Sequence, residues 1–166
     1  AVHNPYTILS ENLSNEILNK LIKAVETSIN NNCDGIIIAH GTDSLQYSAA
    51  AIEYCFGSKI KPVIFVSANH PLDNPNSNGN INFEAAVKFI KESKGNGVYV
   101  SYSNDLKSVD IHVATRLLRH GEFDHKLFSL NGVYATYKKG EFVLNKDFKH
   151  QICHIHIRYF FHKSYN

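Results

Sequence analysis

The sequence has no long apolar run, no block of like charge and no paired cysteine motif. Its apolar runs, such as residues 35–39, are far too short to span a bilayer. The net charge is only +2 and is spread along the chain, without the basic surface that a nucleic-acid backbone selects. The three cysteines are widely spaced and form no CxxC pair, so neither a disulfide framework nor a zinc site is indicated. We therefore expect no membrane, nucleic-acid or metal partner.

The composition is typical of one soluble globular domain. The chain has 166 residues, of which 43% are hydrophobic and 19% charged, enough to build one real core. No basic patch followed by an apolar run opens the sequence, so no secretion signal is visible. We expect a cytoplasmic location, with the periplasm as the alternative.

Helix and strand patterns alternate along the first hundred residues. An apolar stripe at helical spacing predicts a helix over residues 14–30 with Ser14 as its N-cap. The β-branched run at 35–39 is typical of a strand buried on both faces of a parallel sheet. The same alternation then predicts helices at 45–56 and 83–91 and strands at 62–67 and 97–102.

This order predicts a three-layer, Rossmann-like α/β domain with a mainly parallel sheet and helices on both faces. Residues 110–118 alternate in character, and a β-hairpin is expected toward the C-terminus, with its turn at 138–140. We see no internal boundary and treat 1–166 as one incomplete domain with an unassigned tail at 151–166. In such sheets ligands bind at the carboxyl ends of the strands. The turn at 40–43 and the loop at 68–82 follow predicted strands, so we expect the ligand site there.

The turn His40-Gly41-Thr42-Asp43 ends an apolar strand and opens a helix. A hydroxyl beside a carboxylate can bind a zwitterion or transfer a proton, and the helix N-terminus favours anions. The alternative is that Thr42 and Asp43 only cap the helix. Ser10 has the same two interpretations, as a ligand contact or as a helix cap.

Three segments strongly resemble the L-asparaginase family: DGIIIAHGTDSLQYSAAAIEYCF, KPVIFVSANHP and SNGNINFEAAV. In that family an HGTDT-like turn, a KPVV-type strand and an SADGPLN-like loop occur in this order. The resemblance covers roughly residues 6–131. It implies that Thr42 is the second catalytic threonine and that Asp43 binds the α-amino group of the substrate. In the segment ILSEN it implies that Ser10 binds the α-carboxylate and that Glu11 helps to fix the amino end.

Two departures from the family pattern affect catalysis. The family nucleophile is a threonine in a TGGTI-like turn, and no such segment precedes Ala1; without it the acyl-enzyme step has no attacking hydroxyl. The family also places a relay lysine three or four residues after an arginine, and here Arg119 follows Arg116 at that spacing. Arginine keeps the charge but cannot act as a base. Lys126 is the nearest alternative lysine.

The resemblance implies hydrolysis of L-asparagine, with L-glutamine as a poorer substrate, and it implies no metal or organic cofactor. It also implies a homodimer or homotetramer. Because of the two departures, we expect negligible turnover by this chain alone. Two rival functions remain open: a non-catalytic amino-acid-binding domain, and the asparaginase-like subunit of a transfer-RNA-dependent amidotransferase.

The C-terminal tail is rich in histidine. At strand spacing His154 and His156 lie on one face, an arrangement that metal-binding pairs use, with His150, His162 and Cys153 nearby in sequence. The polar face of an irregular terminal strand explains the same pattern. We therefore assign the tail no metal.

Overall fold

The structure is a computed structural model that describes residues 1–31, 33–57, 60–121 and 124–148. The tail with its histidines lies outside the described residues. The helices are α1 (Asn15–Asn30), α2 (Leu45–Phe56) and α3 (Gly79–Lys91), with 3-10 turns at Ser10–Asn12 and Ala114–Arg116. The strands are β1 (Ile36–Ala39), β2 (Val63–Val66), β3 (Val98–Tyr102), β4 (Val109–Val113), β5 (Ala135–Lys138) and β6 (Glu141–Leu144).

The strands form one six-stranded sheet in sequence order, β1 to β6. The first three strands are parallel to one another, and each later strand is antiparallel to the one before it. It follows that β1, β2, β3 and β5 run in one direction while β4 and β6 run in the other. The sheet is therefore mixed, with four of its six strands running in the same direction, in agreement with the mainly parallel sheet that the sequence predicts.

Alternate residues of the central strands face different helices. Val63 and Phe65 of β2 belong to the core that contains α1 and α2. Ile64 and Val66 belong to the core that contains α3. All four side chains are buried, with at most 6% of the surface of any one exposed. This alternation produces a helix–sheet–helix arrangement, so the predicted three-layer α/β fold is confirmed.

The strand β1 differs from the prediction in its burial. We expected it to be buried on both faces, but Ile36, Ile37 and Ile38 are only half-buried and Ala39 is exposed. The reason is its place in the sheet, since among the described residues it pairs with β2 alone. A β-branched run is common to central and edge strands, so composition alone does not separate them.

Two element boundaries also differ from the sequence prediction. Helix α3 begins at Gly79 rather than at residue 83, directly after the buried Asn78. The alternating segment at 110–118 forms β4 and then a 3-10 turn.

The predicted hairpin is present, with positive φ angles of 52° at Lys139 and 84° at Gly140, as expected for a two-residue turn of type I′.

The predicted N-cap of α1 is confirmed. Ser14 Oγ accepts a hydrogen bond from the backbone N–H of Ile17 at 3.3 Å, which makes Ser14 the N-cap of α1. Cys33 and Cys55 are free thiols. In the described part of the chain, no helix has both the length and the apolar character needed to cross a membrane.

Candidate active site

The candidate site lies where the parallel strands end. The 40–44 turn follows β1, Ser67 follows β2, and Ser103 follows β3. The turn is held against the sheet because the backbone N–H of His40 donates to the Val66 carbonyl at 2.9 Å. The parallel strands therefore bring three turns to one edge, which is where open α/β sheets bind ligands.

Ser10 and Asp43 contact each other directly although 33 residues separate them. Ser10 Oγ donates a hydrogen bond to Asp43 Oδ2 at 2.7 Å. The backbone N–H of Asp43 donates to Ser10 Oγ at 3.3 Å. The hydroxyl of Ser44 donates to the Ser10 carbonyl at 2.6 Å. These three bonds join the segment around Ser10 to the turn after β1.

Gly41 makes this close approach sterically possible. A Cβ atom added to Gly41 would lie 2.4 Å from Ser10 Oγ and 2.6 Å from Ser10 Cβ. Both distances are far below ordinary van der Waals contact. A glycine is therefore required here by the packing of Ser10 against the turn.

The capping alternative for the turn is not what the structure shows. Ser44 stands at the N-cap of α2, but its side chain makes no capping hydrogen bond; its hydroxyl is used on Ser10 instead. The Asp43 carboxylate is likewise bonded to Ser10. The polar side chains of the turn thus bind the Ser10 segment, and about half of the Asp43 side chain, 51%, stays exposed.

The Asp43 carboxylate is held in its ionised form. The hydrogen bond from Ser10 lowers its pKa below the ordinary aspartate value, and the nearby His120 ring, when protonated, acts in the same direction. His120 Nε2 lies 3.6 Å from Asp43 Oδ1. Burial lowers the pKa of His40 on the same turn and thus disfavours its charged form.

Buried asparagines hold the loops at this edge of the sheet. Asn82 Nδ2 donates to the Ser67 carbonyl at 2.8 Å, and its Oδ1 accepts from the Ser103 backbone N–H at 2.8 Å. Asn78 Nδ2 donates to the Ser103 carbonyl at 2.7 Å. Asn69 and Asn78 exchange backbone–side-chain bonds at 2.9 and 3.0 Å. These amides fix the ends of β2 and β3 relative to each other.

The other residues predicted for the site lie outside the bonded pair of Ser10 and Asp43. Glu11 is exposed on its 3-10 turn, and Thr42 is half-buried with its carbonyl accepting from the Leu45 N–H at 3.4 Å. Arg119 is exposed, whereas its neighbour His120 is the side chain beside Asp43. No motif in the sequence marks His120, so its place in the site becomes visible only in the structure.

The described residues contain no group of three or more histidine, cysteine, aspartate or glutamate side chains that could hold a metal ion. The chemistry at this edge is that of a hydroxyl, a carboxylate and an imidazole. Such groups can bind and orient a small zwitterion. The fold and the site together define an α/β domain with a cluster of polar side chains at the carboxyl ends of its parallel strands.

Comparison with known proteins assigns the family. The chain belongs to the asparaginase family, since the family model described as "Asparaginase, N-terminal" matches residues 1–141. A solved L-asparaginase from Thermococcus kodakarensis superposes with a TM-score of 0.72 at 25% identity, covering 84% of this chain and 41% of that one. A probable cytoplasmic L-asparaginase from Campylobacter jejuni has a TM-score of 0.75 at 23% identity, over 87% of this chain and 44% of that one, and shows the fold alone.

The curated relatives carry a different name. A subunit of glutamyl-tRNA(Gln) amidotransferase from Methanosphaera stadtmanae is 34% identical over 112 residues, which cover 67% of this chain and 25% of that protein. The subunit of the same name from Methanococcus maripaludis is 40% identical over 93 residues, covering 56% of this chain and 22% of that protein. The chain thus spans about a quarter of the length of the curated relatives that it matches.

Proposed function

We propose that this chain carries the substrate-binding turn of an amidohydrolase that converts L-asparagine to L-aspartate and ammonia, with L-glutamine as a poorer substrate and no cofactor. The observation that supports this is the bonded pair of Ser10 and Asp43 at the carboxyl end of β1. A hydroxyl and an ionised carboxylate side by side complement the carboxylate and the ammonium of an amino acid.

In this proposal Asp43 accepts hydrogen bonds from the ligand's ammonium group, and Ser10 donates to the α-carboxylate. A serine hydroxyl has one proton, and in the structure that proton is directed to Asp43. Ligand binding would redirect it to the ligand carboxylate, while the ammonium replaces it at Asp43. The exposed half of the Asp43 side chain is the approach for the ammonium.

The remaining roles follow from the family to which the chain belongs. Thr42 would be the second catalytic threonine, and Glu11 would help to fix the amino end. Arg119 stands in the position of the relay lysine, where its permanent charge would stabilise an anion but could not accept a proton. These three roles stay predictions.

The direct test is ammonia release by the protein expressed from its complete reading frame. Thr42→Val removes a hydroxyl at nearly constant volume, and we expect the loss of a proton-transfer group to lower kcat at least about a hundredfold. Thr27→Val is the matched control, because Thr27 is an exposed threonine on α1 whose hydroxyl bonds the Lys23 carbonyl of the same helix. Equal kcat values for both variants would remove Thr42 from catalysis.

A second candidate function has its own support. The curated relatives at 34% and 40% identity are named as a subunit of glutamyl-tRNA(Gln) amidotransferase. If this chain serves such an enzyme, ammonia release should favour L-glutamine over L-asparagine and should increase when glutamyl-tRNA(Gln) and the other subunits are added. A preference for L-asparagine that transfer RNA leaves unchanged would favour the hydrolase.

Two further properties complete the proposal. We infer that the protein assembles as a homodimer or homotetramer in the cytoplasm, and that residues 1–166 form part of an N-terminal domain. Sedimentation velocity would measure the assembly directly, and a concentration-independent monomer would contradict it. Binding of L-aspartate without any ammonia release from either amide would instead identify a non-catalytic amino-acid-binding protein.

A further inference from the structure

Both ring nitrogens of His120 face oxygen atoms. Nδ1 lies 2.8 Å from the Gly121 carbonyl oxygen, and Nε2 lies 3.6 Å from Asp43 Oδ1. A carbonyl oxygen and an ionised carboxylate accept hydrogen bonds but cannot donate them. The ring form that suits both neighbours is therefore the imidazolium, in which each nitrogen carries a hydrogen.

The neutral ring fits this place less well. With the hydrogen on Nδ1 toward Gly121, the lone pair of Nε2 would point at the Asp43 carboxylate. Nε2 is buried and has no hydrogen-bond partner among the described residues, and 3.6 Å is too long for a direct bond to Asp43. Charge attraction is thus the interaction that joins the ring to the carboxylate, and it exists only when the ring is protonated.

We propose that His120 is a further residue of the ligand site, where its charge sets how strongly Asp43 binds an ammonium group. The inference rests on the proposed function, in which that ammonium binds the exposed side of Asp43. When His120 is an imidazolium, its positive charge offsets the negative charge of the Asp43 carboxylate and competes with the positive charge of the ligand. As a neutral ring, it leaves the full negative charge of Asp43 to the ligand.

Affinity for an ammonium-bearing ligand should therefore rise with pH. Histidine side chains change charge between about pH 5 and 8. The charged side chains close to these residues in sequence include Glu11 beside Ser10, and Arg119 and Asp124 on the segment of His120. Burial lowers the pKa of His40 on the same turn, which disfavours the charged form of that ring.

The experiment is calorimetric titration with two ligands at about pH 6 and pH 8, on the protein expressed from its complete reading frame. L-aspartate carries the ammonium group, and L-malate carries a hydroxyl in its place. For the unmodified protein, the ratio of L-aspartate to L-malate affinity should rise about two- to fivefold from the lower to the higher pH, the range expected for a partly exposed ion pair.

Variants separate His120 from other sources of pH dependence. In His120→Gln, and in His120→Asn as a second replacement, the ratio should be the same at both pH values and should match the unmodified protein at the higher pH. His3→Gln, at an exposed histidine of the N-terminal segment, should keep the full rise. A rise that persists in both His120 variants would overturn the proposal.

A further variant keeps this inference distinct from the proposed function. Asp43→Asn should lower L-aspartate affinity at both pH values. If it leaves that affinity unchanged, Asp43 does not bind the ammonium and the proposed function itself fails. If Asp43→Asn weakens binding while the His120 variants leave the pH dependence intact, only the role of His120 is wrong.

Discussion

Gly41→Ala is the substitution that tests the architecture of the site most directly. Gly41 has no positive φ angle, so alanine fits the backbone conformation and the effect of the change is steric. The new methyl group would lie 2.4 Å from Ser10 Oγ and 2.6 Å from Ser10 Cβ. Because Ser10 Cβ is fixed to the main chain, a side-chain rotation cannot relieve both contacts, and the Ser10 segment has to move.

The expected loss of unfolding free energy in Gly41→Ala has two contributions. Inserting one methyl group into a closely packed contact typically costs about 1–3 kcal/mol of stability. The displacement also breaks the hydrogen bond of 2.7 Å between Ser10 and Asp43, and a bond to a charged group contributes about 1.5–3 kcal/mol. Asp43 is half-exposed and water replaces part of that bond, so we expect a total loss of about 2–3 kcal/mol. Affinity for L-aspartate should fall at least about tenfold.

Gly35→Ala is the matched control. Its added Cβ would lie 2.8 Å from Ile90 Cγ1, so it also overpacks, but it lies before β1 at the end of the strand away from the turn. Urea denaturation should show a loss of stability in both variants, whereas calorimetric titration with L-aspartate should show a loss of affinity in Gly41→Ala alone. If Gly41→Ala keeps full affinity, the close contact with Ser10 does not shape the ligand site.

Three other substitutions give distinct expectations. Asp43→Asn should weaken L-aspartate binding by roughly tenfold to over a hundredfold in calorimetry, while Cys33→Ser should leave it unchanged. Asn82→Ala should lower the free energy of unfolding by about 2–4 kcal/mol in urea, since it leaves two buried backbone groups unpaired; the exposed Asn80→Ala should change it little. Burial lowers the pKa of His112 to about 4. The free energy of unfolding should therefore have its full value above about pH 6.5 and should fall by at most about 3 kcal/mol toward pH 4. His112→Gln should remove this pH dependence.

The fold was largely predictable because its strongest signals are local. The apolar stripe of α1 and the capping serine before it can be recognised within one helix, and the structure confirms both. The pair Lys139-Gly140 similarly marks the hairpin turn. Sheet position is a different kind of information. The half-burial of β1 depends on which strands lie beside it. The residues at 36–39 do not by themselves indicate which strands those are.

The candidate site was predictable where the chain order and the strand ends decide the geometry. Thr42 and Asp43 follow β1 directly, so the turn had to lie at the carboxyl edge. The bond from Ser10 could be expected only through the family resemblance, because 33 residues separate it from Asp43. Gly41 also appears in the motif, but its steric role becomes visible only when Ser10 is seen against it.

His120 shows where counting along the sequence is insufficient. The spacing from Arg116 selects Arg119, and a count of residues does not say to which side of the chain a side chain points. The structure places His120 beside Asp43, with 3.6 Å between His120 Nε2 and Asp43 Oδ1, while Arg119 is exposed. The basic side chain that the structure places beside the carboxylate is thus an imidazole rather than a guanidinium group, and under the proposal above ammonium binding at this site depends on pH in a way that an arginine could not produce.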